Sequence, residues 1–461
     1  MKDIRRRERF VLVVGDVVFL VFSLWLTLLL RHLSVPSWDS YWTHLVPFSL
    51  LFVVFIFIFF VAGLYEKHTA FLKRELPGTV LAAQAVNIVL AATFFFLIPY
   101  FGIAPKTNLF IYLFVSSSLV ILWRLLLFPL FEPKRLNKTI VIGTGKELEE
   151  VVEEIQHSGR YRWEVMEVID MAHIQNPNEV QKKVLKHVVG GDVSDIVIDM
   201  HGRYADMLTP LFYNLTFVQS QVHIVNLGKL YEEMFDRVPL SQLDHDWLLD
   251  NLESNRRPIY DAAKRGIDIT LSLAVMLVLV VITPLVYLAI RFEGKGDLFI
   301  QQERMGKNGR KINILKFRTM THNKSASSEW TIEEKQDNKV TRVGALLRKT
   351  SIDELPQVFA VLKGDVSFIG PRSDIVGLAE RLVEAIPFYN ARYKVTPGIS
   401  GWAQINQRYA PGNISPQSIE ESRVRLAYDL YYVKHRSLWL DIAIALRTIK
   451  TLVVRIIPHG T

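Results

Sequence analysis

Two neighbouring acidic residues, Asp353 and Glu354, are the strongest candidates for chemistry in the sequence. The chain contains no Cys, which excludes disulfides, thiolate nucleophiles and Cys-ligated metals and leaves oxygen or nitrogen groups to carry any reaction. A carboxylate at the start of a helix is kept ionised by backbone N–H donors and by the helix dipole, which suits a nucleophile at neutral pH. Adjacent helical residues point about 100° apart, so the two carboxylates can serve different partners.

The acidic pair also fits a purely structural role. Ser351, followed three residues later by Glu354, has the spacing of a helix capping box. Pro356 is tolerated in a first helical turn, and Gly364 is a common residue type at a helix end. This segment alone favours capping over catalysis, so the surrounding residues must decide between the two roles.

Positive charge is concentrated around the acidic pair along the sequence. The basic residues lie among Gly and Pro, as a site for a doubly charged diphosphate requires. The balance therefore moves toward phosphate chemistry. The basic clusters and neighbouring motifs are Lys316-Phe317-Arg318-Thr319-Met320, then Arg342 with Arg348 and Lys349, then Gly370-Pro371-Arg372, and finally Pro397 to Gln404.

Four long apolar segments precede these motifs and indicate an integral membrane protein. A membrane-spanning helix needs about 20 mostly apolar residues, and half of the 461 residues are hydrophobic. The first segment is too long for a signal peptide and lacks a small-residue cleavage pattern, so we interpret it as a retained helix. Asp16 and Arg124 lie within spans and are expected to pair structurally or to snorkel. The spans cover roughly residues 10–30, 45–65, 80–103 and 109–131.

Basic residues in alternate loops predict the orientation of the spans. Loops rich in Lys and Arg stay cytoplasmic, which places the N-terminus and everything after residue 132 in the cytoplasm. The formal charge of +8 follows from this pattern and from attraction to anionic lipid, and nucleic acid is excluded as a partner because no nucleic-acid motif is present. The residues are Lys2, Arg5, Arg6, Arg7 and Arg9 before the first span, Lys67, Lys73 and Arg74 after the second, and Lys134, Arg135 and Lys138 after the fourth.

Residues 138 to 250 have the pattern of a cytoplasmic α/β domain of Rossmann type, in which short β-branched runs alternate with helical stretches. Gly143, Gly145 and Asp170 stand where such domains hold a dinucleotide, but Leu148 replaces the third glycine. The sequence therefore favours a turn without a nucleotide over a working site. The predicted strands are Thr139 to Ile142, Val165 to Ile169, Asp195 to Met200 and Val222 to Val225.

A fifth apolar run, Ile269 to Ile290, has basic residues on both flanks, so both flanks favour the cytoplasm. Pro284 lacks a backbone donor and can break the helix and turn the chain back to its starting face. An ordinary kinked fifth span is the alternative, and this run alone does not decide between them.

At these motifs the sequence resembles the bacterial polyprenyl-phosphate sugar-1-phosphate transferases with a single re-entrant helix. Lys316 to Met320, Asp353 to Gln357, Gly370 to Arg372 and Pro397 to Gln404 match the family's motifs in order and spacing, over about residues 258 to 455. Large members also carry four N-terminal spans and a degenerate Rossmann-like domain. Ser373 stands where the family usually has a second proline.

The resemblance implies that Asp353 attacks the β-phosphate of a UDP-hexose, releases UMP, and forms a sugar-phosphoryl aspartate that polyprenyl phosphate resolves. Glu354 then supports the metal or proton handling, and Mg²⁺, held by Asp353 and Glu354, neutralises the diphosphate. The implied phosphate ligands are Arg348, Arg372, Lys316 and Arg318. This would be the first membrane step of cell-surface polysaccharide or glycan assembly, at the bacterial inner membrane.

The predicted fold class is an integral membrane α-helical bundle, an α/β Rossmann-like cytoplasmic domain, and a mostly α-helical catalytic domain with a re-entrant membrane helix. The predicted domains are 1–135, 136–255 and 256–461, with the re-entrant helix at about 265–292. A homodimer is the default expectation. Two alternatives are a nucleotide-sensing membrane regulator, whose activity would not depend on Asp353, and a component of a lipid-linked sugar transporter. The spans contain no matched pair of interrupted helices, which argues against the transporter.

Overall fold

A computed structural model of the chain describes residues 2–65, 76–98, 106–128, 137–158, 163–173, 177–191, 193–199, 205–213, 215, 222–253, 257–294, 296–320, 340–409 and 415–456. The fold is mostly helical and forms two compact units, Met1–Arg135 and Leu136–Thr461. The division into three domains stays a prediction.

The first unit is a bundle of long apolar helices: α1 (Lys2–His32), α2 (Trp38–Val61), α3 (Leu76–Leu97) and α4 (Lys106–Leu122), which continues as a π-helix, Trp123–Leu127. All four are long and apolar enough to cross a membrane, as predicted. The bundle core is built from aromatic and aliphatic side chains such as Phe48, Phe55 and Tyr112. Part of the predicted third span and loop residues such as Lys67 and Lys134 lie outside the described residues.

Asp16 and Arg124 pair inside this bundle. The Arg124 Nε lies 3.1 Å from the Asp16 Oδ1, and the hydroxyl of Tyr65 donates to Asp16 Oδ2 at 2.6 Å. Arg124 Nη1 also donates to the carbonyl of Leu64 at 2.7 Å. Since both charged side chains are buried, this pair explains structurally why two charges are tolerated within the spans.

The second unit begins with a parallel sheet of four strands. In chain order its elements are β1 (Asn137–Gly143), α5 (Gly145–Ser158), β2 (Trp163–Asp170), α6 (Pro177–Val189), β3 (Asp195–Ile198), α7 (Ala205–Tyr213), β4 (His223–Asn226) and α8 (Leu227–Phe235). The strand order is β2-β1-β3-β4, all parallel, which confirms the predicted parallel sheet. Alternate strand residues pack against α5 and α8 on one face and against α6 and α7 on the other. Binding of a nucleotide at this sheet stays a prediction.

The remaining elements build the part of the chain that carries the motifs. They are α9 (His245–Leu248), α10 (Pro258–Glu293), β5 (Phe299–Met305), β6 (Lys311–Phe317), α11 (Arg342–Thr350), a 3-10 helix (Ile352–Gln357), α12 (Val358–Lys363), β7 (Ser367–Ile369), α13 (Val376–Ala385), a second 3-10 helix (Tyr389–Lys394), β8 (Gly398–Ser400), α14 (Trp402–Asn406), α15 (Ile419–His435) and α16 (Leu438–Ile456). The indole N–H of Trp402 donates to the carbonyl of Asp236, at the end of α8, at 2.8 Å. The sheet and the motif region therefore pack together within this unit.

Helix α10 is the fifth helix that is long and apolar enough for a membrane. It contains Pro284 and is one helix through that residue, and the break predicted at Pro284 stays a prediction. The hydroxyl of Thr283 donates to the carbonyl of Leu279 at 2.7 Å. A proline within a helix still removes one backbone hydrogen bond and favours a bend.

Candidate active site

The acidic pair lies in a short 3-10 helix between α11 and α12. Helix α11 ends at Ser351, whose left-handed backbone (φ 57°) redirects the chain. Asp353 and Glu354 follow in the first turn, and α12 ends at Gly364 with φ 93°. The predicted helix and its glycine end are confirmed, although the first six residues are 3-10 rather than α-helical.

The capping-box role of Ser351 and Glu354 is wrong. The Ser351 side chain makes no capping hydrogen bond, because its left-handed backbone belongs to the end of α11. The carboxylate of Glu354 accepts hydrogen bonds from Lys316 Nζ and Arg372 Nη2 instead, each at 2.8 Å. The acidic pair therefore faces the basic motifs rather than its own helix end.

These contacts set the charge state of Glu354. Burial alone would raise its pKa, but the charges and hydrogen bonds of Arg372 and Lys316 hold the pKa of this carboxyl well below its usual range. Burial lowers the pKa of Lys316, and Glu354 opposes that shift. Glu354 is thus a permanent anion that joins two motifs separated in sequence.

Asp353 has a different environment. Its side chain is half-buried, and within the described part of the chain it forms no ion pair with a basic side chain. Burial and the neighbouring charge of Glu354 raise its pKa, while Lys316 and Arg348 oppose the shift. A carboxylate that is poorly neutralised but near cations retains the nucleophilicity that a tight ion pair would suppress.

Three of the four predicted phosphate ligands lie around this pair. Lys316 and Arg372 contact Glu354. Arg348 is a charged neighbour of Asp353, and its Nε donates to the hydroxyl of Thr319 at 2.9 Å. Arg318 differs, because it is buried and its Nη2 reaches the carbonyl of Gly294 at 3.3 Å, at the end of α10.

Glycines bring the two later motifs into contact. Gly370 N donates to the carbonyl of Ser400 at 2.8 Å, and Gly398 N donates to that of Pro371 at 2.9 Å. A Cβ on Gly398 would lie 2.0 Å from the backbone nitrogen of Gly370, so no side chain fits there. This close approach sets the position of Arg372.

A buried charge network holds the backbone of Arg372 from behind. Arg392 Nη2 and Arg425 Nη2 donate to the Arg372 carbonyl at 2.7 and 2.9 Å. Both guanidinium groups also pair with Asp374, and Asp429 pairs with Arg392 at 2.6 Å. Burial alone would raise the pKa of Asp374, but the two arginines lower it to about 2. This network is a rigid support for the phosphate-binding loop.

The sequence reasoning missed this network and a further cation, Arg304. Arg304 Nη1 donates to the carbonyl of Ser373 at 2.9 Å, and its Nε donates to Gln302 Oε1 at 3.0 Å. The only local signal was the spacing of Arg425 and Asp429, four residues apart on α15 and 3.7 Å from each other. Arg304 carried no such signal, since it lies on a strand outside the recognised motifs.

The carboxylates of Asp353 and Glu354 are the groups of this site that could hold Mg²⁺. The described residues contain no group of three or more His, Asp or Glu side chains placed to hold a metal. Mg²⁺ usually takes one or two carboxylates and completes its coordination with water and substrate phosphates. The two adjacent carboxylates therefore fit a metal that binds together with a diphosphate, but they do not form a closed protein cage.

Comparison with known proteins places these motifs in a family. The pattern of the bacterial sugar transferase family matches residues 259–455, and the chain belongs to this family. It is 36% identical over 226 residues to the UDP-glucose:undecaprenyl-phosphate glucose-1-phosphate transferase of Caulobacter vibrioides, covering 49% of the chain and 82% of that protein.

Two longer relatives are also similar to this chain. The UDP-N-acetylgalactosamine-undecaprenyl-phosphate N-acetylgalactosaminephosphotransferase of Aeromonas hydrophila is 37% identical over 50% of the chain and 53% of its own length. The undecaprenyl-phosphate glucose phosphotransferase of Komagataeibacter xylinus is 30% identical over 70% of the chain and 60% of its own length. The chain thus spans between half and two thirds of these two relatives.

Proposed function

We propose that this protein transfers a hexose-1-phosphate from a UDP-hexose to polyprenyl phosphate and releases UMP, as the first membrane step of cell-surface polysaccharide or glycan assembly. The observation that carries the proposal is the arrangement around Asp353. Among the residues that the structure describes, this carboxylate has no basic partner, and it lies beside Glu354, whose own charge is neutralised by Lys316 and Arg372. The family relatives, named for sugar-phosphate transfer to undecaprenyl phosphate, support the same reaction.

In the proposed first step, a carboxylate oxygen of Asp353 attacks the β-phosphorus of the UDP-hexose. A P–O bond to Asp353 forms, and the bond from that phosphorus to the bridging oxygen breaks, so UMP leaves with the electron pair. In the second step, a phosphate oxygen of the polyprenyl phosphate attacks the same phosphorus and expels Asp353. Two displacements replace one direct reaction between two anions.

The residues around Asp353 have separate tasks in this mechanism. Arg348, near Asp353, and Arg372, on its rigid loop, neutralise the diphosphate and the charge that develops on the leaving oxygen. Lys316 fixes Glu354 and completes the positive field. Mg²⁺, held by Asp353 and Glu354 together with the phosphates, would supply further charge neutralisation when bound. Arg318, the fourth predicted phosphate ligand, also contacts the carbonyl of Gly294 at the end of α10.

We also propose that α10 is re-entrant and that the catalytic region faces the cytoplasm of the bacterial inner membrane. Near its start, Arg265 Nη1 donates to the carbonyl of Val361 at 2.6 Å. At its end, the carboxylate of Glu293 accepts from Val343 N at 2.8 Å. Helix α10 has 36 residues, so a straight helix would be about 54 Å long.

These contacts favour re-entry because the segments that bind the two ends are neighbours. Val343 is on α11 and Val361 is on α12, and only the short 3-10 helix separates these helices. A crossing helix would leave its ends on opposite sides of a hydrocarbon layer about 30 Å thick. Exposed apolar side chains such as Leu277, Val281 and Leu285 surround the proline region, which suits insertion of this part into lipid.

Incubation of the purified full-length protein with radiolabelled UDP-hexose, without a lipid acceptor, tests the proposal. A labelled covalent adduct on the protein and one equivalent of UMP are expected, and addition of polyprenyl phosphate should discharge the adduct. The donor panel includes UDP-glucose, UDP-galactose and UDP-N-acetylgalactosamine, because the relatives named above differ in their sugar. Absence of UMP release with every donor would overturn the proposed function.

A further inference from the structure

Arg304 is a cation that the proposed mechanism leaves without a task. It lies on β5, beside the loop that carries Arg372, and its guanidinium is fixed by the Ser373 carbonyl and by Gln302. These contacts use three of its five N–H groups. Two donors therefore remain on a guanidinium whose orientation is already set.

The charges around Arg304 are not balanced by protein groups. Within the described residues it has no ion pair with a carboxylate. Asp374, the acidic residue whose charge acts most strongly on Arg304, is already paired with Arg392 and Arg425. Burial and the charge of Arg372 lower the pKa of Arg304 to about 10. Such a cation attracts an anion from solution.

The excess charge at the site matches a diphosphate. The cations Lys316, Arg304, Arg348 and Arg372 surround the two carboxylates of Asp353 and Glu354, an excess of two positive charges. The diphosphate of a nucleotide sugar carries two negative charges.

The surroundings of Asp353 and of Arg304 indicate how the diphosphate lies in the site. Arg348, Lys316 and Arg372 are cations whose charges act on Asp353, whereas Arg304 contacts Ser373, the residue that follows Arg372 in the loop. A phosphorus attacked by Asp353 therefore lies among Arg348, Lys316 and Arg372. The second phosphate, one bridging oxygen further from Asp353, lies toward Arg372 and Arg304.

We propose that Arg304 is a substrate-binding residue whose guanidinium holds the phosphate that leaves with the nucleoside. This inference rests on the proposed function and adds one residue to it. Arg304 donates two charge-assisted hydrogen bonds to the nucleoside monophosphate, in the donor complex and in the product complex. The loop at Ser373 and the strand β5 hold it in place for both.

Binding of UMP to the full-length protein in detergent, followed by calorimetry, tests this role apart from turnover. The Arg304→Gln variant loses charge-assisted hydrogen bonds and should bind UMP about tenfold to a hundredfold more weakly than wild type. The affinity of Arg304→Lys for UMP should lie between those of wild type and Arg304→Gln. Arg310→Gln is the matched control, because Arg310 is exposed in the turn before β6 and its loss should leave binding unchanged. Uridine, which lacks the phosphate, should bind wild type and Arg304→Gln equally.

The outcomes separate this inference from the proposed function. If wild type binds UMP and Arg304→Gln binds it equally well, Arg304 only supports the loop at Ser373 and the inference is wrong, whatever happens to turnover. If wild type neither binds nor releases UMP, the proposed function fails instead. Should Arg304→Gln not fold, Arg304→Lys carries the test, since it keeps the charge and loses the fork of donors.

Discussion

Glu354 and Arg372 are joined by a hydrogen bond of 2.8 Å, although 18 residues separate them in the chain. This contact links the acidic pair to the Gly-Pro-Arg loop. It also leaves Asp353 as the acidic side chain of the pair that has no basic partner in the described part of the structure. In the proposed mechanism the two carboxylates therefore have different roles: Glu354 organises the cations, and Asp353 reacts.

Replacement of Asp353 by Asn tests the nucleophile. Transfer should fall by more than about 10³-fold, because a neutral amide cannot form the acyl-phosphate, and the labelled adduct should disappear. The protein should stay folded and membrane-bound. Appreciable turnover in this variant, with deamidation excluded by mass spectrometry, would remove Asp353 from the reaction.

The same variant has a predictable effect on stability. Burial and the charge of Glu354 raise the pKa of Asp353 in the folded protein above its unfolded value. Ionisation of this carboxyl therefore destabilises the fold as the pH rises above the unfolded pKa. Asp353→Asn should therefore be more stable than wild type at neutral pH. The difference should shrink as the pH falls toward the unfolded pKa. Thermal unfolding in detergent across a pH series measures it.

Replacement of Glu354 by Gln should destabilise the protein, because Lys316 and Arg372 would remain largely buried without their anion. Removal of one partner from such a cluster costs about 3 kcal/mol. The pKa of Glu354 is depressed, so its contribution is present at neutral pH and is lost only as the pH falls through the depressed value. The unfolding temperatures of wild type and variant should therefore converge only in strong acid.

Glu303→Gln is the matched control for that measurement. Glu303 lies on β5, 4.0 Å from Lys311, and both side chains are more than half exposed. An exposed pair of this kind contributes about 0–1 kcal/mol, so this substitution should leave stability nearly unchanged. Similar losses in the two variants would show that loss of any acidic side chain, rather than the contacts of Glu354, is responsible.

Sequence patterns were sufficient for the parts of the molecule that depend on neighbouring residues. Continuous apolar runs predicted the membrane helices, β-branched runs predicted the parallel sheet, and the charge pattern placed Lys316 and Arg372 near the acidic pair. Capping is also a local pattern, but it failed at Ser351 because the helix before it ends in a left-handed residue. That backbone is set by packing that the sequence of this segment does not reveal.

The support behind Arg372 could not be predicted, because its members are distant in the sequence. Arg392 is 18 residues and Arg425 is 51 residues from Asp374, the carboxylate they share. No short motif contains such a network. Each of these charged residues, taken alone in the sequence, is of a type that is common on protein surfaces. The packing of α15, the second 3-10 helix and the loop that carries Asp374 brings these charges together.

The buried network is expected to position Arg372 rather than to react. Tyr393→Phe removes one hydrogen bond of 3.0 Å to Asp374 and should cost about 1.5–3 kcal/mol, with less than a tenfold loss of activity, because both arginines still hold the Arg372 carbonyl. Tyr409→Phe is the control, since the hydroxyl of Tyr409 donates to the neutral Gln407 and its loss should cost less. A large fall in kcat for Tyr393→Phe at unchanged stability would assign that hydroxyl a direct role.

Arg372→Ala should lose far more activity than Arg310→Ala. Arg372 is held on both sides, by Glu354 and by the network at its carbonyl, and is placed for a phosphate, whereas Arg310 lies exposed in a turn. Initial rates at saturating and limiting UDP-hexose separate binding from chemistry. Equal losses in the two variants would mean that overall basicity, rather than a positioned ligand, supports the reaction.

The re-entrant course of α10 predicts the sidedness of residues on either side of it. Because the chain has no Cys, single cysteines report topology without background. Asp246→Cys precedes α10, Lys307→Cys follows it, and Val35→Cys lies between the first two membrane helices; all three positions are exposed. In intact cells, an impermeant thiol reagent should label only Val35→Cys, and permeabilised cells should label all three.

Pro284 is the position that should control this topology. Although helical backbone continues through it, proline removes one backbone hydrogen bond and lowers the cost of a bend. Pro284→Leu should favour a straight helix that crosses the membrane, so a fraction of Lys307→Cys should become labelled in intact cells and transfer should fall by the same fraction. Labelling of Lys307→Cys in intact cells when Pro284 is present would instead mean that α10 crosses the bilayer, which would place Asp353 on the side opposite to the predicted cytoplasmic sheet domain.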